Sequence, residues 1–369
     1  MASIPDKIQC WQMVQPWSKN KETGEKIPGV LKRTEIPMPE LQEGDVVVKI
    51  AGCGVCHTDL GYFYDGVPTV SKPPLTLGHE ISGTVVGGVK DMIGKDVIIP
   101  AVMPCGNCPI CDAGRGNRCL AQKMPGNSIG QLGGFASHIV VPANVICPID
   151  DLKGTPLSHY AVIADAGTTP YQAAMRAELK EGDLAIVLGV TGGVGVYMAQ
   201  IAKALGAKVV IGIARHEGKL QRALQYGADY VINSTDKDPK AIKDEFKGIC
   251  KQAGVPSNYG WKIFECTGTG AGQDIALSLL SFVGKMIVVG FGLAQNKYMI
   301  SKLMAFEADI MGVWGCLPQY YPKVLELVQS GKIQIEPFLE TKPMSQIQQV
   351  FEDQHAGKFD KRQVLEPDF

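Results

Sequence analysis

Between Leu184 and Ile213 the chain carries a short unbroken apolar run, Leu184-Ala185-Ile186-Val187-Leu188, followed at once by Gly189-Val190-Thr191-Gly192-Gly193-Val194-Gly195. Apolar residues then recur at Val194, Met198, Ile201, Ala202 and Leu205, Gly206 follows, and a second run extends from Lys208 to Ile213. Five apolar residues bounded by turn signals suit a strand buried on both faces, and the wider spacing after them suits a helix that ends at a glycine. Strand, glycine turn, helix, strand leaves few folds open, because two parallel strands joined by a helix belong to one sheet with a right-handed crossover. The turn also has chemical meaning. Glycines let the backbone approach a pyrophosphate, and a helix N-terminus favours the phosphate charge. Gly189, Gly192, Gly193, Val194 and Gly195 are therefore the candidate dinucleotide-binding residues.

The same alternation runs on. Thr169-Pro170 offers an N-cap and a first-turn proline for a helix through about Glu178, and strands are expected near 230–232, 262–265, 285–289 and 309–313, with helices between them. Six such strands suit a doubly wound parallel sheet of the α/β class. The preceding sequence differs: short strands at 8–14, 45–51, 85–89 and 96–101 with glycine turns between them predict a β-rich domain. After about residue 315 a helix is expected over Gln319–Ser330, and a second opened by a Ser345/Gln348 capping box and ended by Gly357. The short strand Arg362–Leu365 then returns to the first domain. The expected domains are 1–165, 166–315 and a return over 316–369.

Two clusters carry chemistry. Cys105, Cys108, Cys111 and Cys119 follow the spacing C-x2-C-x2-C-x7-C, which fits a closed structural zinc site; an iron–sulfur cluster is the rival reading. The segment around them, about 104–120, is rich in Gly, Asn and Pro and cannot build a core of its own. Ordering it costs about 1 to 2 kcal/mol per residue in backbone entropy, and structural zinc supplies about 10 to 16 kcal/mol in small peptides. The second cluster is Cys53-Gly54-Val55-Cys56-His57-Thr58-Asp59 together with Gly78-His79-Glu80. Thiolate and imidazole suit a zinc that keeps one position open for water or substrate. The other histidines, His138, His159, His216 and His355, read as solvated or core residues. Cys53, Cys147, Cys250, Cys266 and Cys316 read as packing, and Cys10 has no assignment.

A net charge of −1 without like-charge runs leaves no electrostatic footprint for nucleic acid or an anionic membrane. Small-molecule chemistry remains. Residues 1–20 lack the apolar core of a secretory signal, the apolar stretch Leu184–Ile201 is broken by glycines, and an odd count of 11 cysteines fits metal ligation in a reducing cytoplasm better than disulfides.

With these residues in place the chain resembles the zinc-containing medium-chain alcohol dehydrogenases over essentially its whole length: Gly78-His79-Glu80 through Gly83 and Gly87, the four-cysteine lobe and the glycine turn stand in that family's order and spacing. The resemblance implies a GroES-like catalytic domain, a Rossmann domain, a site in the cleft between them, two Zn2+ ions and a homodimer or homotetramer. Carried over residue by residue, it places Cys56 and His79 as catalytic zinc ligands and His57 at the cofactor pyrophosphate. Thr58 falls on the proton-relay hydroxyl and Asp59 on the carboxylate that orients the ligating histidine.

Three positions depart from the family pattern. Asp165 of Asp165-Ala166-Gly167 stands where a third, cysteine ligand is often found, and Glu80 competes with it. Gly61 replaces a relay histidine. Ala214-Arg215 replaces the acidic residue that would bind the ribose of NAD, and an arginine there favours NADP. The segments Lys72–Glu80, Gly189–Arg215 and Phe264–Gly268 are similar to the branch of the family that oxidises 6-hydroxycyclohex-1-ene-1-carbonyl-CoA. That likeness implies NAD as acceptor and a CoA ester as the small-molecule substrate. The alternatives are oxidation of a free alcohol or polyol, with NADP in place of NAD, and, more remotely, a cofactor-binding protein without activity.

Overall fold

A computed structural model describes residues 4–369. The chain forms two compact units. The first comprises the chain up to Asp165 with Gly315–Glu326 and Ile335–Phe369; the second comprises Ala166–Trp314 and Leu327–Gln334.

The first unit is built mainly on antiparallel pairing, with Leu339–Pro343 and Arg362–Glu366 running parallel to each other. Its larger sheet runs in the order Cys147–Ile149, Asp96–Ile99, Glu80–Gly88, Asp45–Gly54, Arg362–Glu366, Leu339–Pro343, with His138–Pro142 also paired to Asp45–Gly54. A smaller sheet holds Val30–Pro37, Lys7–Gln15 and Leu75–Thr76. Along Asp45–Gly54 the apolar positions Val46, Val48 and Ile50 join Ile81, Val97, Ile99 and Phe135 in one core. The C-terminal strand completes this sheet: Val364 pairs antiparallel with Gly54, and Leu365 with Cys53. Val55, the residue before Cys56, is tied to the same strand: its N–H donates to Gln363 O at 2.9 Å and its carbonyl accepts from Arg362 Nη1 at 3.1 Å.

The second unit is a six-stranded, wholly parallel sheet in the order Tyr230–Asn233, Val209–Ala214, Leu184–Leu188, Trp261–Glu265, Lys285–Val288, Asp309–Gly312. The three central strands are buried along their whole length, as expected where helices cover both faces. Lys262 lies within one of them and carries its ammonium out to the Asp183 carboxylate. Strand order reverses between Leu184–Leu188 and Trp261–Glu265, which is where open α/β sheets bind ligands.

Two expected caps are not formed. The helix assigned to Thr169–Pro170 runs from Thr168 to Arg176 with Gly167 at its cap, because the chain has already turned helical one residue earlier. Ser345 does not open the last helix, Ile347–His355; its backbone N–H goes instead to Asp368 Oδ1 at 2.8 Å, so the C-terminal tail has claimed it. Leu327–Gln334 groups with the second unit, and Gln334 N donates to Gln200 Oε1 at 2.7 Å.

Candidate active site

The helix His57–Tyr64 begins directly after the Asp45–Gly54 strand, and Cys56 is its cap residue. Asp59, fully buried on its first turn, reaches back: Oδ2 accepts from Cys56 N at 3.0 Å and Oδ1 from Gly78 N at 3.0 Å. The same Oδ1 lies 3.3 Å from His79 Nδ1. One carboxylate thus fixes the cysteine and the backbone before the histidine, and stands beside the ring itself. Thr58 Oγ1 stands 3.6 Å from Cys56 Sγ.

Four side chains converge here. Cys56, His79, Glu80 and Asp165 each bring a donor atom within 4.8 Å of the others. Asp165 Oδ2 is 3.6 Å from His79 Nε2 and 3.8 Å from Cys56 Sγ. Glu80 is buried and accepts on Oε1 from Arg362 Nη1 at 2.9 Å, while its Oε2 has no hydrogen-bond partner. Burial pushes the Glu80 carboxyl up to about 7 against the pull of Arg362. Burial acts to lower the His79 pKa, yet Asp59, Asp165 and Cys56 raise it well above its ordinary value. Such a buried cluster of acceptors draws in positive charge, and sulfur, nitrogen and carboxylate oxygen are the donor set of a catalytic zinc. The residues present therefore fit the metal.

The cysteine lobe fits a second ion. Cys119 Sγ lies 3.4 Å from Cys105 Sγ, and Cys108 Sγ lies 3.5 Å from Cys111 Sγ and 3.8 Å from Cys119 Sγ. Four thiolates on one tetrahedral zinc, with bonds of about 2.3 Å, stand about 3.8 Å apart. The spacing matches a single ion and is too tight to enclose an iron–sulfur cluster.

In the second unit, Gly189 follows the Leu184–Leu188 strand with φ +75° and donates its N–H to Ile213 O at 2.8 Å. A Cβ on Gly195 would lie 2.0 Å from Gly189 O, so the helix Gly195–Ala204 can start where it does only with glycine at that position. Ala214 ends the next strand and Arg215 follows, exposed, its carbonyl accepting from Thr235 Oγ1. Gly189, Gly192, Gly193, Val194, Gly195, Ala214 and Arg215 thus gather at the C-terminal edge of one sheet. His57 belongs to the other unit, where it is exposed at the start of the helix His57–Tyr64. At Gly61 a Cβ would meet Val67 Cγ2 at 3.3 Å, a tight contact that a larger side chain would have to displace.

Residues 42–151 match the model of the alcohol dehydrogenase GroES-like domain and residues 193–330 that of the zinc-binding dehydrogenase. An alcohol dehydrogenase of Geobacillus stearothermophilus is 34% identical over 342 residues, covering 91% of this chain and 95% of that protein. The chain belongs to the zinc-dependent medium-chain alcohol dehydrogenase family. As a member it is an NAD- or NADP-linked oxidoreductase that uses zinc. A (R,R)-butanediol dehydrogenase of Neisseria gonorrhoeae is 29% identical, with 84% of this chain and 88% of that protein covered. The fold is shared with galactitol-1-phosphate dehydrogenase from Escherichia coli at a TM-score of 0.82 and 23% identity, over 97% of this chain and 100% of that one.

Arg362 is the residue that sequence reasoning missed. It sits on the last strand, 282 positions from Glu80, and only the sheet order brings the two together. No local pattern around Arg362 signals the contact. Among the described residues no helix is long and apolar enough to cross a membrane.

Proposed function

We propose that this dehydrogenase oxidises a secondary alcohol with a free alcohol or polyol skeleton, passing the hydride to the nicotinamide of NAD or NADP. The convergence of Cys56, His79 and Asp165 beside the Thr58 hydroxyl carries this reading. In it Asp165 is the third zinc ligand, and Glu80, engaged by Arg362, stands as the reserve donor. Zinc bound there would supply Lewis acidity, which makes a hydroxyl near it easier to deprotonate. The chain's own groups do the rest. Asp59 holds the His79 ring through Nδ1 and fixes the orientation of Nε2. Thr58 takes the proton released from the substrate hydroxyl and passes it outward; with glycine at position 61 and no relay histidine there, the exit runs through water or a ribose hydroxyl of the cofactor. The relatives named alcohol dehydrogenase and butanediol dehydrogenase support a free alcohol.

A second reading rests only on the likeness of the segments Lys72–Glu80, Gly189–Arg215 and Phe264–Gly268 to the branch of the family that oxidises 6-hydroxycyclohex-1-ene-1-carbonyl-CoA, which implies a CoA ester with NAD as acceptor. A steady-state screen of secondary alcohols, polyols and hydroxyacyl-CoA esters with both dinucleotides separates the two. Turnover of free alcohols supports the first reading, and turnover confined to the thioester replaces it with the second. Cys56→Ser and His79→Ala are expected to abolish oxidation while dinucleotide affinity changes less than about threefold; unchanged turnover in either variant overturns the site.

For the oligomer we propose a homodimer through the edge strand Asp309–Gly312. Ile310 on that strand, with Met299, Ile300 and Met304 before it, leaves apolar side chains exposed along an unpaired strand edge.

A further inference from the structure

Asp165 is the last residue of the first unit before the chain passes into the second. It directly follows the 3-10 helix Leu157–Ala164, and its backbone, at φ −138° and ψ −58°, has already left helical geometry. The helix therefore fixes the chain only as far as Ala164. Carbonyls at a helix end lack partners within the helix and must find them elsewhere. Ala164 O finds one in the Tyr321 hydroxyl, which donates to it, and the hydroxyl oxygen of Tyr321 in turn accepts from Ala101 N at 3.1 Å. Tyr321 is fully buried and opens the helix Tyr321–Gln329, within the segment Gly315–Glu326 that belongs to the first unit. Ala101 lies just past the strand Asp96–Ile99. Three stretches distant in sequence thus meet at one hydroxyl, a single peptide away from the carboxylate that reaches His79 and Cys56.

We propose that Tyr321 is a positioning residue for the Asp165 carboxylate, and that its hydroxyl tunes how tightly the Cys56–His79–Asp165 cluster holds zinc. The inference rests on Asp165 being the third ligand. Tyr321 acts through the Ala164–Asp165 peptide: with the carbonyl anchored to Ala101 through the hydroxyl, Asp165 leaves the helix in one direction and its carboxylate stays within reach of the metal. Groups that support metal ligands in this way commonly account for 10- to 100-fold in affinity.

The test uses the full-length zinc-loaded enzyme. Zinc per chain is followed during titration with a chelator, and the four-cysteine site serves as the internal reference. Tyr321→Phe keeps the buried ring and removes the hydroxyl. It is expected to lose one zinc at about 10- to 100-fold lower chelator concentration than wild type, with the second zinc unchanged. The visible spectrum of cobalt bound at the catalytic cluster is expected to shift as well, which a change in core packing alone would not produce. Tyr321→His, which retains a ring and an N–H donor, is expected to fall between the two and serves if the phenylalanine variant does not fold. Asp165→Asn separates the premises. If it holds zinc like wild type, the ligand assignment fails. If it loses zinc while Tyr321→Phe and Tyr321→His keep wild-type retention and an unaltered cobalt spectrum, the role proposed for Tyr321 is overturned.

Discussion

At Glu80 one carboxylate faces two demands: Oε1 is held by Arg362 at 2.9 Å and Oε2 lacks a hydrogen-bond partner. Gly54 makes that placement possible, since a Cβ there would lie 2.1 Å from Oε2. Removing the guanidinium leaves a buried carboxylate without its counter-ion, and breaking a buried pair from one side costs about 3 to 5 kcal/mol. Arg362→Ala is therefore expected to lose about that much in urea unfolding, and Arg362→Ala combined with Glu80→Gln to recover part of it; a loss under about 1 kcal/mol for the single variant would show the pair to be dispensable. Gly195 is constrained from the opposite direction, by backbone. Its missing side chain keeps Gly189 O and the start of the helix in contact. Gly195→Ala is expected to weaken dinucleotide binding more than tenfold by calorimetry while both zinc ions remain, because the overpacked turn moves the amide groups that face the pyrophosphate.

Among the elements, the cysteine lobe depends most on something other than its own packing. Between Cys105 and Cys119 only Gly116, Asn117 and Cys119 are buried, so the segment has little apolar surface to withdraw from water. A zinc bound by the four cysteines would supply that order, and Cys105 N and Ala121 N, each 3.3 Å from Cys119 Sγ, add hydrogen bonds to one of the thiol sulfurs. Stripping that zinc is expected to bring amide exchange across 105–119 close to the unprotected rate within minutes while the Leu184–Leu188 strand stays protected. Equal protection of the lobe with and without metal would mean that it folds by itself. The helix His57–Tyr64 is the contrasting case. It is short, but Asp59 ties its first turn to Cys56 and Gly78, so its position does not depend on its length.

For the molecule as a whole, the two units differ in how their chains are assembled. The second is built from one continuous run with a small addition, Leu327–Gln334, whereas the first draws on three separate stretches. The metal cluster lies entirely in that discontinuous unit: Cys56, His79 and Glu80 come from its first stretch, Asp165 from the end of that stretch, and Arg362 from the last. If the Asp309–Gly312 edge is the dimer surface, charge placed on it will separate the copies. Met304→Lys with Ile310→Glu is expected to halve the mass measured by light scattering without altering zinc content. An unchanged mass would assign the oligomer to another surface.

What the sequence by itself determined was whatever a short window can hold. The apolar run before Gly189, the glycine turn and the helix spacing after it are local, and so are the four cysteines from Cys105 to Cys119; each encodes its own geometry within a few residues. Cys56, Asp59 and His79 were singled out through the family resemblance, and the fold brings the three side chains together. What only the tertiary structure decided lies in long-range pairing. The sequence leaves Glu80 and Asp165 on an equal footing, and it is the last strand that brings Arg362 to Glu80, while the Asp165 carboxylate lies 3.6 Å from His79 Nε2. The helix caps went the same way: Ser345 has a capping sequence, yet Asp368 was nearer in space. Backbone propensity acts between neighbours in the chain, whereas a buried charge is satisfied by whichever group the fold places beside it.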